Sequence, residues 1–80
     1  MLKARSPDIT QYHYGDRYYK IYDAYPGYEY ALGVAEDCRK QPCPLDCRYT
    51  CRAIVVDLGP DAGRLRYGLF VAKGKLLPKR

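Results

Sequence analysis

The sequence predicts a mainly β domain: two antiparallel hairpins forming a small curled sheet or partial barrel, joined by a cross-linked, cysteine-rich connector. Three observations predict it. Apolar and polar residues alternate with a period of two over residues 28–35 and 64–71, the repeat of a strand with one buried face. Breakers punctuate those runs, at Pro26-Gly27 and at Gly59-Pro60-Asp61-Ala62-Gly63. Four cysteines then fall within residues 38–51, between the two halves. With 80 residues only one domain fits, and at roughly 70–80 residues a core usually needs a staple beside it. The 48% hydrophobic content includes ten tyrosines, whose hydroxyls need partners when buried, so the aliphatic core is modest.

Taken in order, residues 1–11 read as an irregular arm, since Ser6-Pro7-Asp8 is turn chemistry and the residue before proline avoids the helical region. Residues 12–73 read as a single small β domain with the connector at 36–51. Its first hairpin spans residues 12–35 and is rich in Tyr, a good strand former. Tyr18, Lys20 and Tyr22 alternate with Tyr19, Ile21 and Asp23; the chain turns at Pro26-Gly27, and Tyr28, Tyr30, Leu32 and Val34 return along one face. The connector has room for a one- to two-turn helix starting at Pro44, with Asp46 near the positive end of its dipole. The second hairpin, residues 52–73, opens on the β-branched run Ala53–Leu58 and turns through residues 59–63. On its return strand Leu65, Tyr67, Leu69 and Val71 share one face; Arg64, Arg66, Gly68, Phe70 and Ala72 share the other. Residues 74–80 form a basic tail broken by Gly74 and Pro78.

Cys38, Cys43, Cys47 and Cys51 are candidates for a disulfide or metal staple. Two disulfides fit a nested pairing, Cys38–Cys51 outside Cys43–Cys47; closing a loop of ~15 residues stabilises by about 3 kcal/mol in the chain-entropy model. One structural zinc fits the count of four ligands. The spacing fits it less well: no glycine tightens residues 38–51, and on a helix Cys43, Cys47 and Cys51 would spread over roughly 12 Å. Four unlinked thiols are the third possibility. No CxxC is present, which argues against a redox-active pair, and neither ferredoxin spacing is matched. The expected cofactor is therefore none, or one zinc at the four cysteines. The chain has no Asn, two Gln and one Met. Such depletion of thermolabile residues marks heat-adapted proteins, some of which carry intracellular disulfides.

No catalytic constellation is visible. His13 stands alone between Tyr12 and Tyr14, Ser6 has no partner, Glu36-Asp37 is a solvated pair, and no glycine-rich loop precedes a helix. The chain is expected to be no enzyme and to take no small-molecule substrate. Residues 1–15 lack the apolar run of a signal peptide, and no stretch matches a membrane helix, so the expectation is a cytoplasmic protein with no membrane partner. Charge is uneven. Residues 1–37 carry four cations and six carboxylates, net −2; residues 38–80 carry ten cations and three carboxylates, net +7. A basic stripe of this kind faces polyanions. The candidate nucleic-acid-binding residues are Arg48, Arg52, Arg64, Arg66, Phe70, Lys73, Lys75, Lys79 and Arg80, cations for phosphates and an aromatic ring for unpaired bases. The eight tyrosines of residues 12–30 suit a sheet core, a protein contact or a stacking platform. The expected function is an RNA-binding accessory protein of a ribonucleoprotein, a small ribosomal or ribosome-associated protein of a heat-adapted archaeon. Its partners would be ribosomal RNA and, through the Tyr-rich hairpin, neighbouring proteins. The alternatives are a self-assembling virion or filament subunit using that hairpin as its contact, and a DNA-binding chromatin protein.

Overall fold

The structure, a computed structural model, describes residues 1–78. Strand accounts for 50% of the residues and helix for 19%, so the domain is mainly β, an open sheet curled into a half-barrel with one helix. The strands are β1 (Leu2–Lys3), β2 (Gln11–Tyr14), β3 (Arg17–Tyr25), β4 (Pro42–Cys43), β5 (Asp46–Asp57) and β6 (Tyr67–Leu76); the helix is α1 (Tyr28–Arg39). Their order in the sheet is β1-β5-β6-β3-β2, with β4 on β5 beside that path. All pairings are antiparallel except β1 with β5.

The second hairpin forms as the breakers dictate. β5 and β6 pair through Asp57↔Tyr67 and Val55↔Leu69, joined across a 3₁₀ turn at Pro60–Ala62 between Gly59 and Gly63, both at positive φ. These central strands are buried on both faces, which is why residues 53–58 read as a near-continuous apolar run. On the outer face Cys51, Ala53, Val55, Leu69 and Val71 pack against Ala31 and Ala35 of α1. On the inner face Val56, Phe70 and Ala72 pack with Tyr19 and Leu58, covered by Leu2, Ala4 and Ile9 of the N-terminal arm.

Five expectations change. Residues 28–35 are helix, not a returning strand. Tyr28, Ala31, Leu32, Ala35 and Cys38 also fit the i, i+3, i+4, i+7 stripe of a helix, and that stripe is the buried one, leaving Tyr30 66% exposed. Gly27 caps the start, its carbonyl accepting from the Ala31 amide at 3.0 Å, and Glu29 and Arg39 sit at the dipole ends that favour them. The first hairpin therefore turns at Gly15-Asp16 rather than Pro26-Gly27: Tyr14 pairs with Arg17, and Gly15 has φ +64°, as a two-residue turn with glycine first requires. No helix starts at Pro44, because β4 and β5 pair there. The arm is not wholly irregular, since Leu2 pairs with Val56, and the tail enters the sheet as far as Leu76. There Gly74 leaves room for Thr50, whose hydroxyl accepts from the Lys75 amide at 2.8 Å.

Curling brings the open edges of the sheet towards each other. Tyr12 on β2 donates its hydroxyl to the Lys3 carbonyl on β1 at 3.4 Å. The half-barrel thus has a seam between β1 and β2, floored by the arm.

Candidate nucleic-acid interface

The sheet does not gather the basic residues singled out from sequence. Arg64 and Arg66 lie at one end of the β5–β6 pair, Lys73 and Lys75 at the other; nine residues of strand separate Arg66 from Lys75 by roughly 30 Å. Arg66 is committed: its Nε and Nη2 donate to the two carboxylate oxygens of Asp57 at 2.8 and 2.9 Å. Phe70 has no exposed surface, so it belongs to the core and offers no ring to a base. The exposed face expected for it is covered by the arm and by Tyr19. Arg48 is exposed but forks onto Asp46 at 3.0 and 2.8 Å, and that hydrogen-bonded guanidinium pulls the Asp46 carboxyl down to about 2. Arg52 is exposed opposite Ala72. Arg64 is exposed in the loop. Lys79 and Arg80 lie outside the described residues.

Lys73 sits in a different company from the one sequence suggested. Its ammonium lies 5.1 Å from the centre of the Tyr49 ring, a cation–π distance. Arg17 on β3 donates Nη1 to the Lys73 carbonyl at 3.1 Å. Arg17, Tyr18, Tyr49, Lys73 and Gly74 line one open depression of about 340 Å³. Tyr18 is 69% exposed and stacks on His13, ring centres 4.6 Å apart and planes 17° from parallel. His13 and Tyr18 face each other because the Gly15-Asp16 turn fixes that register. Lys20 extends the row on β3: it pairs with Val71, whose side chain lies in the cluster under α1, so this is the outer face where the helix has ended. The result is a strip across four strands, β2, β3, β6 and β5, carrying His13, Tyr18, Lys73 and Tyr49 in that order, with Arg17 and Lys20 beside it.

Its electrostatics are open. Asp46, a carboxylate that feels the Lys73 charge, is already held by Arg48. The Arg17 Nε is buried without a hydrogen-bond partner among the described residues, with an Asp16 carboxylate oxygen 4.0 Å away. Glu29, Glu36 and Asp37 project from the exposed side of α1 instead. Sequence reasoning missed Arg17, Tyr18, His13 and Tyr49 as partners of Lys73. The signal was present in the Gly15-Asp16 dipeptide, a two-residue hairpin turn, but the meeting of β3 with β6 is a tertiary event.

The cysteines divide three to one. Cys38 of α1, Cys43 of β4 and Cys51 of β5 share the outer-face core, and the Cys51 thiol donates to the Arg52 carbonyl at 3.6 Å. Burial, then the neighbouring Cys43 and Cys38, pushes the Cys51 thiol up to about 12; burial raises Cys38 as well. Cys47 is exposed beside Arg48, Leu76 and Leu77. All four are free thiols. Among the described residues no group of three or more His, Cys, Asp or Glu side chains is placed to hold a metal ion. Cys47 is thus exposed while the other three thiols are buried or half-buried. No described helix is long and apolar enough to cross a membrane.

No protein-family model matches the chain, and no curated protein or solved structure matches it.

Proposed function

We propose that the chain is a non-enzymatic RNA-binding module that takes a single strand across the His13–Tyr18–Lys73–Tyr49 strip, as an accessory protein of a ribonucleoprotein such as a ribosome. One observation carries the reading: an exposed Tyr ring stacked on His13 stands in line with a lysine poised over a second Tyr. Unpaired bases stack on such rings whatever their identity, worth about 1–3 kcal/mol per base, while flanking cations track the phosphates. A duplex hides its base faces, so the strip favours single strands. The exposed carboxylates Glu29, Glu36 and Asp37 belong to α1 and not to the strip, and they disfavour a polyanion lying along the helix.

Amide shift mapping with an oligouridylate tests the reading. The expected result is perturbation of residues 13, 17–20, 49 and 73. Perturbation confined to Arg64 and its loop would remove the strip from the reading. Equal response to DNA and RNA strands would favour the chromatin alternative, and concentration-dependent growth in size without nucleic acid would favour self-assembly.

A further inference from the structure

The seam of the half-barrel holds a cleft of about 420 Å³, lined by Lys3 of β1, Arg5 and Ile9 of the arm, and Gln11, Tyr12 and His13 of β2. Its size falls within the range of small-ligand sites. Lys3, Arg5 and His13 line it and no carboxylate does. Among the described residues neither Lys3 nor Arg5 enters a salt bridge; Asp57, the strand partner of Lys3, is occupied by Arg66. Gln11 adds an amide, and the open edges of β1 and β2 leave backbone groups unpaired, as sheet edges do. Two uncommitted cations with neutral donors in a concave site is the chemistry of phosphate recognition. The cleft is tied to the strip by one residue: His13 lines the cleft and also stacks on Tyr18.

We infer that the seam is a second, phosphate-binding site, which receives the sugar–phosphate backbone of the strand as it leaves the Tyr18 platform past His13. The inference rests on the RNA reading above and deepens it: bases are stacked on the outer face, and the adjoining phosphates are clamped by Lys3 and Arg5 at the barrel seam. Asp8 is the carboxylate nearest Lys3 and Arg5 in the sequence. It is bonded to the Ser6 hydroxyl and does not line the cleft.

The test measures affinity for a short and a long oligouridylate, about four and about twelve nucleotides, within the span of known single-strand sites. The wild type is compared with Lys3→Ala/Arg5→Ala and with Tyr18→Ala, folding being checked by circular dichroism. The paired variant is expected to bind the long strand roughly tenfold more weakly and to flatten its salt slope by about 1.4, two phosphates at roughly 0.7 each. It should keep the short strand within about twofold of wild type, while Tyr18→Ala weakens both. If the paired variant matches wild type on the long strand, the seam site is wrong and the strip stands. If it weakens both strands alike, the seam is no separate extension and the inference is also wrong. If wild type binds neither strand, the RNA reading fails and the inference with it.

Discussion

Asp57 is the one buried charged residue in the described core, 6% exposed, and its environment makes a pH prediction. The Arg66 guanidinium, and after it the Gly59 amide at 2.8 Å, hold its carboxyl down to about 2. The unfolded value is about 3.9, so the folded group is depressed. The stability it contributes is present above about pH 4 and is lost as pH falls towards about 2. Urea midpoints measured down that range should fall in the wild type and fall less steeply in Asp57→Asn; parallel curves would contradict the pairing. Single residues also show where sequence reading stops. Alternation placed Phe70 opposite Leu69 and Val71, and the structure agrees. Whether that second face meets water or core depends on the arm and the curl of the sheet, which no local pattern encodes. The same blindness applied to Arg66, whose partner lies nine residues away across the loop.

At the scale of elements, α1 shows how two periodicities can coexist. Residues 28–35 alternate, yet Tyr28, Ala31, Leu32 and Ala35 also mark a helical stripe. Ala, Leu and Glu are strong helix formers, and the tie breaks towards helix because α1 covers the outer face of β5 and β6. Gly33 lies mid-helix, exposed, with no atom within 4 Å of where a Cβ would stand. Gly33→Ala is therefore expected to stabilise by about 0.5–1 kcal/mol, read from urea unfolding; destabilisation would mean that the segment is not helical. The second hairpin was legible because β-branched residues flank a loop of concentrated breakers. The first was misplaced because Pro26-Gly27 outshone Gly15-Asp16, although proline and glycine there serve to start a helix. The cysteine connector was legible as a cluster but not as a partition, since the bulged pairing of β4 with β5 decides which thiols face inward. Under native conditions an alkylating reagent should modify Cys47 first and Cys43 and Cys51 only on unfolding. Hydrogen peroxide, reduced to water as two thiols give up two hydrogens, should link two of Cys38, Cys43 and Cys51 and leave Cys47 open to alkylation. A mapped Cys43–Cys47 bond would overturn that partition.

Over the whole molecule, the charge split between the halves of the sequence becomes a different division in space. β3 comes from the acidic half but lies beside β6 from the basic half, so Arg17 and Lys20 join Lys73 on the sheet while the carboxylates of residues 29–37 stay on α1. Composition showed a basic side; topology decided which residues make it, and it left Arg64 about a strand's length away from Lys75. The fold class was legible, and so was the presence of aromatic and cationic residues suited to nucleic acid. The strip itself was not, since its members come from residues 13–20, 49 and 73 and meet only when the sheet closes. The most direct measurement of the central claim is the affinity of a labelled single-stranded oligouridylate for wild type, Tyr18→Ala, Lys73→Ala and Arg64→Ala over a range of salt. The account predicts that Tyr18→Ala loses about 1–3 kcal/mol with little change in salt slope. It predicts that Lys73→Ala flattens the slope by about 0.7 and that Arg64→Ala changes little. Wild-type affinity for Tyr18→Ala, together with a loss confined to Arg64→Ala, would contradict it.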